Sequence, residues 1–89
     1  MVSVVDNSAE SRLEAQVGED VGYLIYRAAG DRLVLVHTEV PPELEGHGVG
    51  GALVTAAVEM ARERGLTVVA RCPFARSWLE RHPEALTDR

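Results

Sequence analysis

Lysine is missing from this chain: all nine of its basic residues are arginine, and they are outnumbered by fourteen acidic residues for a net charge of −5. A protein that tracks a nucleic acid presents a basic face to its phosphates, so this balance argues against that partner and slightly favours cationic acceptors. Cysteine occurs once, at Cys72. A single thiol forms no internal disulfide, which fits a reducing compartment and leaves the group free for other work. Long apolar runs are also lacking. The longest tempting uncharged stretch, residues 46–58, falls well short of the roughly 20 residues a membrane-spanning helix needs. The first residues, Met1-Val2-Ser3-Val4-Val5-Asp6, carry neither the basic flank nor the apolar centre of a secretion signal, so a cytoplasmic location without membrane contact is expected. His37, His47, Cys72 and His82 have no metal-ligand spacing, and no metal is expected.

What is present suits one small globular unit, 1–89, without repeats or linkers. Apolar residues make up 46% of the chain, within the globular range. A domain of this size buries only about 60–65% of its unfolded surface, so its core is thin.

The hydropathy pattern changes period along the chain. From Arg12 to Val17 apolar and polar residues alternate, as in a half-buried strand, and Gly18-Glu19-Asp20 reads as a turn. Val21 to Ala28 holds the strand formers Tyr23, Leu24, Ile25 and Tyr26 and ends at a second turn, Ala29-Gly30-Asp31. A third strand, Arg32 to Val40, opens with the apolar run Leu33 to Val36, and Pro41-Pro42 stops it. Between Gly48 and about Arg64, residues Leu53, Val54, Ala57, Val58 and Ala61 make a helical stripe, and Gly65 is a natural cap. Leu66 to Ala70 predicts a short buried strand, parallel to the third by a right-handed crossover. A last helix runs from Pro73 to about His82, with Phe74 and Trp78 most simply in the core. The predicted fold is α+β: an antiparallel three-strand meander, a helix, a parallel strand and a C-terminal helix.

The segment Glu45-Gly46-His47-Gly48-Val49-Gly50-Gly51 joins a strand to a helix. The first N–H groups of a helix have no intrahelical partner, and glycines let an anion approach them closely, so the loop suits a phosphate. A tight turn alone would also use such glycines. A nucleotide-triphosphate loop would require Gly-Lys-Ser/Thr, whereas Gly51-Ala52-Leu53 stands here. Gly46, Gly48 and Gly51 match G-x-G-x-x-G, with Arg71 about 20 residues on, but a dinucleotide fold starts on a parallel βαβ unit rather than an antiparallel meander.

The run Val40-Pro41-Pro42-Glu43-Leu44-Glu45-Gly46-His47-Gly48-Val49-Gly50-Gly51-Ala52-Leu53 resembles the coenzyme A motif of the GCN5-related N-acetyltransferases, Gln/Arg-x-x-Gly-x-Gly/Ala. With Val36-His37-Thr38-Glu39 before it and Arg71-Cys72-Pro73-Phe74, Trp78-Leu79 and Arg81-His82-Pro83-Glu84 after it, the chain is similar over about residues 12–84 to the short YjdJ-type branch. The resemblance implies a minimal acetyltransferase fold with acetyl-CoA as donor substrate. Backbone amides of Gly46, His47, Gly48, Val49, Gly50 and Gly51 would hold the pyrophosphate. The strand ending at Val40 would splay from the strand at Leu66 to Ala70 and offer its backbone to the pantetheine arm. Arg76, with Arg71 and Arg81, is placed to reach the adenosine phosphates. Glu45 departs from the motif, and its side chain is expected to face solvent. Full-length relatives carry N-terminal helices that wall the acceptor side. Without them the pocket would be open, suiting a protein, peptide or other flexible amine, with the chain a monomer or a weak homodimer.

Three residues are candidates for the chemistry. Cys72, at the predicted start of the last helix beside Arg71 and Arg76, suits a nucleophile or a group exchanging a proton with the CoA sulfur, as a tyrosine does in many relatives. A buried small hydrophobe is the plain alternative. His37 has a base's chemistry near neutral pH, and Glu39, two residues on and on the same face, would assist or replace it. A structural strand histidine and a solvated strand-end charge are the competing readings. The expected function is therefore acetyl transfer from acetyl-CoA to a primary amine. A non-catalytic CoA-binding or protein-interaction module is the alternative.

Overall fold

The computed structural model describes residues 2–86. Five strands form one sheet in chain order: β1 (Val4–Asn7), β2 (Arg12–Val17), β3 (Asp20–Ala29), β4 (Arg32–Glu39) and β5 (Thr67–Ala70). β1 to β4 run antiparallel, and β5 lies parallel to β4. The crossover between β4 and β5 contains helix α1 (Val49–Arg64), and helix α2 (Pro73–Arg81) follows β5. The α+β class, the two hairpins, the crossover strand and both helices therefore stand as the sequence predicts.

The meander has four strands rather than three. β1 pairs with β2 from Val4↔Ala15 to Asn7↔Arg12. It escapes the sequence pattern because two of its four residues are Asp6 and Asn7, types that strands disfavour. Tertiary contacts hold it instead: the Tyr26 hydroxyl donates to Asp6 Oδ1 at 2.6 Å, and Arg64 Nη2 lies 3.4 Å from Asp6 Oδ2. Those two bonds join β1 to β3 and to the end of α1.

Cross-strand partners share a face, so the register shows which side chains point inward. Leu13 pairs with Leu24 and Tyr26 with Leu35, and these residues form one buried cluster with Leu33, Leu53, Val54 and Ala57. Cys72, Ala75 and Leu79 of the α2 region join the same cluster. Both helices thus cover one face of the sheet. The opposite face carries Glu14, Tyr23, Ile25, His37 and Glu39 in register and, among the described residues, has no helix on it.

β4 contains an irregularity that decides the geometry of its outer half. Tyr26 pairs with Leu35, but Ile25 pairs with His37, so Val36 is an extra residue in a bulge. Strict alternation from the inward-facing Leu33 and Leu35 would turn His37 and Glu39 inward as well. The bulge resets the phase. Thr38 pairs with Leu24 on the helix-covered face, while His37 and Glu39 share the open face with Ile25 and Tyr23.

Candidate functional site

The loop after β4 is shaped by its prolines and glycines. Pro42–Leu44 makes a single 3-10 turn, stapled by the N–H of Leu44 donating to the Pro41 carbonyl at 2.9 Å. Leu44 is buried and anchors the loop to the core. Gly46 and Gly48 both have positive φ, 85° and 77°, which side chains disfavour. Gly48 is the N-cap of α1 and has no side chain to cap it, so the amides of Val49, Gly50 and Gly51 lie ahead of the first helical donor, Ala52. The helix dipole adds a favourable field for an anion there.

A cavity of about 470 Å³ opens at this point. Its lining joins Thr38 and Val40 of the β4 end, Leu44 to Gly51 without His47, and the aromatic rings of Phe74 and Trp78 from α2. The aromatic wall depends on two glycines. A Cβ on Gly50 would stand 2.4 Å from Phe74 Cζ, and one on Gly51 would stand 2.9 Å from Trp78 Nε1. Phe74 is 40% exposed rather than the core residue its spacing predicts, whereas Trp78 is half-buried and packs against the core cluster. Trp78 also stacks on His82, with centroids 4.3 Å apart.

One edge of the site is unpaired backbone. β5 follows β4 only from Arg32↔Thr67 to Leu35↔Ala70, and the last bonds between them run from the N–H groups of Arg71 and Cys72 to the Leu35 carbonyl. Beyond Leu35, β4 continues to Glu39 without β5 beside it. The splay expected near Val40 begins earlier, at the bulge.

The candidate residues are distributed over both faces. Cys72 is the N-cap of α2: its Sγ accepts the Ala75 N–H at 3.3 Å and lies 3.1 Å from Thr38 Oγ1. It is 2% exposed and does not line the cavity. His37 and Glu39 lie on the open face, with His37 Nε2 3.0 Å from Glu39 Oε1 and both side chains more than half exposed. The sheet therefore separates Cys72 from His37. Val40, Gly46, Gly48, Val49, Gly50 and Gly51 meet at the cavity, while His47 and Arg76 are exposed and lie outside its lining. Glu45 is exposed, as expected, yet borders the opening. Thr38, Leu44, Phe74 and Trp78 are additional lining residues. The i, i+4 aromatic pair was visible in the sequence, but nothing there faced it toward Gly50-Gly51. Thr38 gave no signal, because its orientation depends on the bulge.

The glycine loop, the helix start and the splayed strand form one continuous cleft that fits an elongated ligand with an anionic end. A family model described as a GCN5-related N-acetyl-transferase matches residues 12–88. The chain belongs to the GCN5-related N-acetyltransferase family. No curated protein matches it. The matched region of this family member includes the cleft at Gly46 to Gly51, and β1 lies outside it. Among the described residues no group of three or more His, Cys, Asp or Glu side chains is placed to hold a metal ion, and no helix is long and apolar enough to cross a membrane.

Proposed function

We propose that this protein transfers an acetyl group from acetyl-CoA to a primary amine on a protein, peptide or other flexible acceptor. The observation that carries the reading is the cavity linking the free amides at the start of α1 to the unpaired edge of β4. The amides of Val49, Gly50 and Gly51 suit a pyrophosphate, and the unpaired β4 backbone suits an extended chain of amides such as the pantetheine arm. A thioester reaching along β4 then lies between Thr38 on the helix side and the His37–Glu39 pair on the open side. The amine approaches from the open face, which no helix among the described residues covers. There the His37–Glu39 pair takes the proton that nitrogen loses on attacking the acetyl carbon.

Burial of Cys72 supports direct transfer over an acetyl group carried on its sulfur. Protein incubated with acetyl-CoA and no amine is expected to keep its unmodified mass. The same burial favours one second reading, a CoA-binding module that turns nothing over.

Two measurements test the proposal in order. Acetyl-CoA at about 100 times its dissociation constant stabilises the fold by roughly 2.7 kcal/mol, which raises the melting temperature of a small domain by several degrees. No shift, or a larger one with NADPH, overturns the donor assignment. CoA release with panels of amines and peptides then separates an enzyme from a binding module. For the base, His37→Ala is expected to lower kcat by about 10²-fold or more between about pH 6 and 9. An unchanged rate across that range removes His37 from the mechanism.

A further inference from the structure

Resting on the acetyl-transfer reading, we propose that Thr38 is a further catalytic residue: its hydroxyl delivers the proton to the departing thiolate and is refilled from Cys72. Three observations carry this. Thr38 lines the cavity, whereas Cys72 is 2% exposed and does not. Thr38 Oγ1 and Cys72 Sγ lie 3.1 Å apart, within hydrogen-bonding reach for sulfur. The Ala75 N–H already donates to Cys72 Sγ at 3.3 Å. Either atom of the Thr38–Cys72 pair can donate; in the proposed arrangement the thiol donates to Thr38 Oγ1 and the threonine O–H points into the cavity.

The chain of bonds is directional, from Cys72 through Thr38 to whatever atom the cavity holds. As the amine nitrogen bonds to the acetyl carbon, the carbon–sulfur bond breaks and its electron pair goes to sulfur. That sulfur takes the Thr38 hydroxyl proton while Thr38 takes the Cys72 thiol proton. Cys72 is left as a thiolate whose Sγ still accepts the Ala75 N–H. After CoA leaves, a water proton returns along the same path. The nitrogen's proton departs separately on the open face, so the two transfers use opposite sides of β4. Neighbouring strand residues face opposite sides, and in the observed register Thr38 faces inward and His37 outward.

The test uses the whole chain with acetyl-CoA and an amine that the wild type turns over. Thr38→Val keeps the shape and removes the hydroxyl. It is expected to lower kcat by about 10²-fold, the lower range for general acid catalysis, with KM for acetyl-CoA changed by less than about threefold. Thr38→Ser restores most of the rate. Cys72→Ala added to Thr38→Val costs less than about a further threefold, because both act in one path. A Thr38→Val rate equal to wild type, a Thr38→Ser rate no better than Thr38→Val, or independent multiplicative losses overturns the inference in favour of a structural hydroxyl. If Thr38→Val does not fold, Thr38→Ala is read by the same criteria. A wild type that neither binds acetyl-CoA nor turns over sinks the acetyl-transfer reading and this role with it, whereas an active Thr38→Val sinks this role alone.

Discussion

Residue by residue, the site is governed by where side chains are missing. In an isolated helix alanine is favoured over glycine by about 0.8–1.0 kcal/mol, so propensity alone recommends Gly50→Ala. Here the added methyl would meet Phe74 at 2.4 Å. The partly exposed ring yields more readily than the helix, so the variant is expected to keep a melting temperature within a few degrees of wild type. The displaced ring enters the cavity, and the acetyl-CoA-induced shift falls. Gly48→Ala is the converse case: no atom lies within 4 Å of the new methyl, but φ is +77°. It should destabilise the fold by about 1–2 kcal/mol through backbone strain. Thermal melts of both variants with and without acetyl-CoA separate lost space from strain. The glycine-rich helix start was legible in the sequence, since glycines placed before a helix leave its first N–H groups open wherever they occur. The aromatic wall was not, since it depends on how α2 crosses α1.

Among the elements, β4 decides most. Its first half was readable as a central strand from Leu33 to Val36, and it pairs on both sides as such a strand should. Its second half depends on a single extra residue, and no feature of Leu35-Val36-His37 marks a bulge. Deleting Val36 leaves Thr38 inward and His37 outward, because it removes the residue that shifted the phase, but it straightens the strand. The expected result is a folded protein whose β4 runs closer to β5 and whose response to acetyl-CoA is lost. A variant that still binds acetyl-CoA as tightly as wild type would show that the bend does not open the cleft.

At the scale of the molecule, a small sheet with helices on one face depends on its few long-range ties. Burial, and then the hydrogen bond to Asp6, hold the Tyr26 hydroxyl above its ordinary value of 10.0. The folded state therefore favours the neutral phenol. Its contribution is present in full below about pH 10, where the unfolded chain begins to ionise, and is lost as pH rises through the higher folded value. Urea denaturation at about pH 8 and pH 11 is expected to show a smaller alkaline loss for Tyr26→Phe than for wild type. Tyr26→Phe also starts from a lower stability, by about 0.5–1.5 kcal/mol for the missing hydrogen bond. At the acid end, bonds from Arg12 and then Asn7 hold the Glu14 carboxyl below its ordinary value. That contribution is present above the ordinary value and fades as pH falls through the lower one.

Element types, their order and the glycine-rich helix start at residues 45–51 follow from the sequence alone. Those properties come from local period, turn chemistry and backbone freedom, which neighbouring residues settle among themselves. The tertiary structure alone decided that Asp6 and Asn7 belong to a strand, that Phe74 and Trp78 wall a cavity, and that β4 presents Thr38 to one side and His37 to the other. Each of these rests on a partner distant in the chain: Tyr26 and Arg64 for Asp6, Gly50 and Gly51 for the two rings, and Ile25 opposite His37 for the bulge. A pattern read along one strand carries its period but not its phase relative to the neighbouring strand, and the phase is what separates the two faces of this site.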